Sequence, residues 1–166
     1  SINLSYLDMT NIVTTTFIIE KLEEFNVGPW VIFEILESDG IENYDAVSKF
    51  IEKVKSYGAK IAIDDFGAGY SNFERLAELR VDFIKIDGSL IRNIDKNDEM
   101  KIIVRTIVSF AKELGIKTIA EYVHSQSVLE CVKEIGIDCA QGFYIGKPSP
   151  TLGNATESNP KRVHVL

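Results

Sequence analysis

The chain has 166 residues, of which 45% are hydrophobic and 26% charged, enough apolar material for one globular core. Lys and Arg number 18 against 25 Asp and Glu, a formal net charge of −7. That balance excludes general nucleic-acid binding through a basic face, and an anionic substrate would need metal ions or a local Lys to approach.

Taken in chain order, Ser1-Ile2 leads to Asn3, and the first helical period runs from about Leu7 to Phe25. A strand is predicted over Trp30 to Glu37, a helix over Tyr44 to Tyr57, and a strand over Lys60 to Asp65. There follow a helix over Phe73 to Leu79, a strand over Val81 to Asp87 and a helix over Glu99 to Leu114. A strand over Lys117 to Glu121, a helix over Gln126 to Ile135 and a short strand near Asp138 to Gln141 complete the alternation. Gly58 and Gly115 stand where helix stops are expected. The strands are continuous apolar runs rich in Ile and Val, the pattern of a parallel sheet covered on both faces, so the fold class is α/β built from βα units. A single domain over residues 1–150 is expected, and from Thr151 to Leu166 the composition turns polar, as in a surface tail.

No apolar run reaches the ~18 residues of a membrane span, and the start lacks a basic-then-apolar signal pattern, so a soluble, cytoplasmic segment is expected. Cys131 and Cys139 have no C-x-x-C spacing and no companion His cluster, which fits reduced thiols on a core or helix face.

Polar residues gather at the strand ends. Asn3 follows Ser1-Ile2, and Glu34, Glu37, Asp64, Asp65, Lys85, Asp87, Glu121 and Gln141 lie in or just past predicted strands. Ile61-Ala62-Ile63 reads as a buried strand delivering two adjacent aspartates, Asp64 and Asp65, to a turn containing Gly67, Gly69 and Ser71. Adjacent carboxylates repel, and cations relieve that repulsion, so the pair points to a divalent metal site, with a helix N-cap as the alternative. Singly, Glu34 reads equally well as a satisfied structural group, and Lys85 as a charge partner of Asp87. The Gly67–Ser71 turn lacks the G-K-[ST] ending of a phosphate-binding P-loop. Five successive strand ends with polar groups would be costly in a core without function, and a parallel barrel converges such residues on one pocket at its carboxyl face.

The segments Asn3-Leu4-Ser5, Phe33-Glu34-Ile35-Leu36-Glu37-Ser38, Asp64-Asp65-Phe66-Gly67-Ala68-Gly69-Tyr70-Ser71, Lys85-Ile86-Asp87, Ala120-Glu121 and Gln141-Gly142-Phe143 resemble the EAL-type cyclic-di-GMP phosphodiesterases of bacterial signalling. The resemblance implies a modified TIM-type (β/α)8 barrel and metal-dependent hydrolysis of one phosphodiester bond of cyclic di-GMP, giving linear pGpG. It places metal ligands at Asn3, Glu34, Asp64, Asp65 and Glu121, with Asp64 bridging two Mg²⁺ or Mn²⁺ ions. Lys85 would orient the attacking water or stabilise charge, Gln141 would sit near that water or the metal shell, and Glu37 would steady the loop from Phe66 to Asn72. Asp87 is assigned to support. The same resemblance implies a homodimer and a parent protein fused to sensory or diguanylate-cyclase modules, with membrane tethering of the parent left open.

Two departures accompany the match. The glutamate motif that names the family, with its nearby arginine, would lie upstream of Asn3, and a barrel of ~250 residues predicts roughly two further βα units, so the chain is expected to be an incomplete barrel. His124 stands where the family usually has a second glutamate. Three readings follow: the greater part of a phosphodiesterase whose intact parent is active, a degenerate domain that binds cyclic di-GMP or a protein partner, and an aldolase-like barrel with Lys85 as Schiff-base lysine.

Overall fold

The computed structural model describes residues 1–36, 43–69, 76 and 78–148. Glu37, Ser71, most of the helix expected over Phe73 to Leu79, and the polar tail 151–166 lie outside the described residues. Two compact units are present, Ser1–Ile84 and Lys85–Leu166. No described helix is long and apolar enough to cross a membrane.

The first unit contains β1 (Ile2–Leu4), α1 (Tyr6–Thr10), α2 (Ile12–Phe25), a 3₁₀ turn (Gly28–Trp30), β2 (Ile32–Leu36), α3 (Tyr44–Ser56) and β3 (Lys60–Phe66). β4 (Phe83–Ile86) begins in this unit and ends in the second. The second unit continues with α4 (Gly88–Ile91), α5 (Asp98–Glu113), β5 (Lys117–Ala120), α6 (Gln126–Ile135) and β6 (Cys139–Ala140). Within the units, β1–β2, β2–β3 and β5–β6 pair in parallel. This is the α/β, parallel-sheet class that the apolar runs predict.

Each long helix buries one stripe. α3 buries Val47, Phe50, Ile51 and Val54, and α6 buries Val128, Leu129 and Val132, spacings of three and four that keep apolar groups on one face. Strand interiors are covered on both faces: Ile61, Ala62 and Ile63 are all buried, as are all four residues of β4.

Several boundaries differ from expectation for local reasons. The helix predicted from Leu7 to Phe25 is two, because the Asn11 side chain accepts hydrogen bonds from the Val13 and Thr14 amides at 2.9 and 3.2 Å and starts α2 afresh. A capping box precedes it: the Ser5 hydroxyl and amide donate to the Asp8 carboxylate, holding that carboxyl below its ordinary range, and Ser5 Oγ accepts from the Asp8 amide. β2 starts at Ile32 rather than Trp30, since Pro29 seeds the 3₁₀ turn. α4 is an unforeseen single turn, capped by Asp87, whose carboxylate accepts from the Ser89 amide at 2.9 Å. Asp64 and Asp65 lie inside β3, not at a helix cap.

One device recurs in both units. Asp82, the residue before β4, accepts from the Ile61 amide in β3 at 2.9 Å and from Lys55 Nζ at 2.7 Å. Asp138, the residue before β6, accepts from the Thr118 amide and hydroxyl in β5 at 2.8 and 2.9 Å. In each case a carboxylate at the start of one strand satisfies the second residue of its neighbour and pins the register.

Asp82→Ala should therefore lower unfolding free energy by about 2 kcal/mol, the scale of hydrogen bonds to a charged group, measured by urea denaturation. Cys139 is buried, and burial, helped by Asp138, pushes its thiol up, with Lys117 opposing; Cys131 is half-buried. At a pH of about 8 a thiol reagent should label Cys131 first and Cys139 only on unfolding.

Candidate functional site

In the first unit the register aligns three oxygen donors. Asn3 on β1 pairs with Glu34 on β2, and Asp64 on β3 pairs with Leu36, two residues beyond Glu34. Register partners in parallel strands face the same way, so Asn3, Glu34 and Asp64 share one face, with Asp64 about 6.6 Å further along the strand direction. Asn3 is exposed, while Glu34 and Asp64 are half-buried.

Strict alternation would send Asp65 to the opposite face. Its backbone instead adopts φ +54°, in the left-handed region, and Gly67 follows at φ +95°. The departure leaves a carboxylate oxygen of Asp65 within 4.8 Å of one from Asp64. The Asp65 amide donates to Asp64 Oδ1 at 3.1 Å, and the Ala68 amide donates to the Asp65 carbonyl at 3.2 Å, so the turn itself holds the pair. A left-handed non-glycine residue costs about 1 kcal/mol and persists only where its surroundings enforce it. Amide and carboxylate oxygens are the donors that Mg²⁺ and Mn²⁺ prefer, so this set suits a hard divalent cation.

In the second unit Lys85, Glu121 and Gln141 form a chain. Lys85 is buried at the end of β4, and its Nζ lies 3.0 Å from Glu121 Oε1. Gln141 Nε2 donates to the same oxygen at 2.6 Å. Backbone bonds set these positions: the Glu121 amide donates to the Ile86 carbonyl at 3.2 Å, and the Gln141 amide donates to the Ala120 carbonyl at 2.8 Å. Gly142 lets the chain pass close, since a Cβ there would lie 2.3 Å from the Val123 nitrogen and oxygen. An open cavity of about 410 Å³ lies beside Glu121 and Gln141, bordered by Asp87, Ser89, Arg92 and Tyr122. His124 is exposed, with Nδ1 3.3 Å from the Tyr122 carbonyl.

The structure thus groups Asn3, Glu34, Asp64 and Asp65 in one unit and Lys85, Glu121 and Gln141 in the other. Asp87 caps α4 at the cavity edge, Gly67 and Gly69 occupy the turn after β3, and Glu37 and Ser71 lie outside the described residues. Lys85 sits in an ion pair and not in the apolar pocket that a Schiff-base lysine requires. Sequence reading missed Arg92 and Tyr122. The signal was available for Tyr122, which directly follows a strand-end glutamate, but nothing local announced Arg92.

The EAL domain family matches residues 1–148, and the chain belongs to it. It is 36% identical over 163 residues to the cyclic di-GMP phosphodiesterase PdeF of Escherichia coli K12, covering 98% of this chain and 22% of that protein. Among solved structures it is similar to the EAL domain of Mycobacterium smegmatis DcpA, with a TM-score of 0.82 at 29% identity, covering 88% of this chain and 66% of that one. It is also similar to Klebsiella pneumoniae BlrP1 in a manganese and cyclic-di-GMP complex, with a TM-score of 0.79 at 30% identity over 88% of this chain and 38% of that one. The chain spans about a fifth of the length of the curated relatives it matches.

Lys85 and Glu121 shield each other from a buried, unpaired state. Lys85→Met should destabilise the protein by about 3 kcal/mol, and adding Glu121→Gln should recover part of that loss; a double-mutant cycle on urea midpoints measures the coupling.

Proposed function

We propose that this chain carries most of the active centre of a metal-dependent phosphodiesterase that hydrolyses cyclic di-GMP to linear pGpG. The observation that carries the reading is the Asp64–Asp65 pair, held together by left-handed backbone at a strand end where alternation would part them. Membership of the EAL family and the activity for which its relatives are named support the substrate.

In this reading Asn3, Glu34, Asp64, Asp65 and Glu121 would hold two Mg²⁺ or Mn²⁺ ions. Such ions, when bound, would supply an activated water and offset charge on the phosphoryl oxygens, terms that a chain of net charge −7 lacks. Lys85 fixes the Glu121 carboxylate from one side and Gln141 fixes it from the other, so Glu121 is preset for a cation and loses little entropy on binding one. The Gln141 amide spends an N–H on Glu121 and keeps its carbonyl to accept from a water. Water oxygen bonds to phosphorus, the bond from phosphorus to the 3′ oxygen breaks, and that oxygen takes a proton, leaving a 5′ phosphate and a 3′ hydroxyl. Asp87 supports the cavity edge and Gly67 and Gly69 belong to the turn after β3, while Ser71 and Glu37 keep, as part of this proposal, the substrate and loop roles that the family resemblance implies. A homodimer in the cytoplasm, within a parent bearing sensory or diguanylate-cyclase modules, belongs to the same reading.

Purified full-length protein with Mn²⁺ should convert cyclic di-GMP to pGpG, and chelation should stop it. Asp64→Asn should cut the rate by about a hundredfold or more, the scale of losing one preorganised charge-stabilising element. Tight cyclic-di-GMP binding with no pGpG in the wild-type protein would replace the hydrolase reading with a receptor.

A further inference from the structure

Tyr122 is the second non-glycine residue beside the candidate site with a left-handed backbone, at φ +55°. It directly follows Glu121, its side chain is half exposed, and aromatic residues in this region of backbone space are strained outliers. Neighbouring residues make room for it. A Cβ on Gly88 would come within 2.9 Å of the Tyr122 Cβ, so α4 can lie against the ring's base only with glycine there. From the end of that same helix, Arg92 places its guanidinium carbon 4.6 Å from the centre of the Tyr122 ring. Both side chains border the cavity that Glu121 and Gln141 also border. A strained backbone, a glycine cleared for the ring, a cation laid against it and the His124 ring 5.6 Å away together hold a half-exposed tyrosine at the cavity edge.

We infer that the Arg92–Tyr122 stack is a base-reading element of this cavity, which holds a guanine of the substrate. The inference rests on the cyclic-di-GMP reading above and adds to it a specificity-determining pair. Planar arginine and tyrosine present stacking surface to any nucleobase, and every base has a π-face to use it. The guanidinium fork adds what a tyrosine cannot: two parallel N–H donors that match the O6 and N7 acceptors of guanine, whereas adenine offers N7 beside an amino donor. The neighbouring acidic groups Asp87 and Glu121 disfavour a bare phosphate at the same spot, which separates base reading from simple anion capture.

The experiment compares KM and kcat for cyclic di-GMP and cyclic di-AMP in the full-length protein and in Tyr122→Gly, Arg92→Lys and Arg92→Ala, with thermal midpoints for each. Tyr122→Gly removes both ring and strain, so KM for cyclic di-GMP should rise roughly tenfold while the thermal midpoint does not fall. Arg92→Lys keeps the charge and loses both plane and fork, so its KM for cyclic di-GMP should also rise roughly tenfold, several times more than any rise for cyclic di-AMP, which loses the stacking plane alone. Wild-type KM in Arg92→Lys, or equal losses for both dinucleotides in Arg92→Ala, would mean that Arg92 acts only as a charge, and the inference would be overturned. Wild-type KM in Tyr122→Gly would overturn it too, while leaving the hydrolase reading intact. No turnover of cyclic di-GMP by the wild-type protein would sink both together.

Discussion

A β-strand sends adjacent side chains to opposite faces, and the candidate site depends on suspending that rule at strand ends. Asp64 and Asp65 are neighbours in β3, so a regular strand would part their carboxylates. Left-handed backbone at Asp65, with Gly67 just beyond, keeps oxygens of the two within 4.8 Å. Among the described residues, four non-glycine positions have positive φ: Asn26 and Arg80 sit in turns, whereas Asp65 and Tyr122 stand at the ends of β3 and β5. Strain of about 1 kcal/mol at each is small beside the burial of the strands that carry them, yet it decides where the functional side chains can go.

The scaffold that bears this strain is conventional in its energetics. Both faces of the central strands are covered, and helices contribute single apolar stripes. What pins one strand against the next is more specific: Asp82 on the Ile61 amide and Asp138 on the Thr118 amide, each a carboxylate placed one residue before a strand. A slip of register would leave those carboxylates without their donors. The alignment of Asn3 with Glu34, and of Leu36 with Asp64, depends on the same kind of exact pairing.

Much of this was legible from residue order alone. The apolar runs that became β3 and β5 and the helical period of α6 have clear flanks, and Gly58 and Gly115 mark helix ends with φ of +88° and +70°. The single helix expected from Leu7 to Phe25 failed at Asn11, whose side chain competes for helical amides in a way that hydrophobic period does not register. The short strand β1 and the one-turn helix α4 were too brief for any periodic signal.

Among the candidate site residues the division follows the range of the interaction. Residue type and strand-end position, which are local, marked Asp64, Asp65, Lys85, Glu121 and Gln141 from sequence. That Lys85 and Gln141 meet on one oxygen of Glu121, that Asp65 turns back toward Asp64, and that Arg92 lies over Tyr122 needed the folded chain. Sequence by itself determined which chemical groups reach the strand ends, because apolar runs and glycine stops are encoded within a few neighbours. Only the tertiary structure decided which of those groups meet, because contacts between residues twenty or more apart depend on register and on backbone torsions that no local pattern specifies.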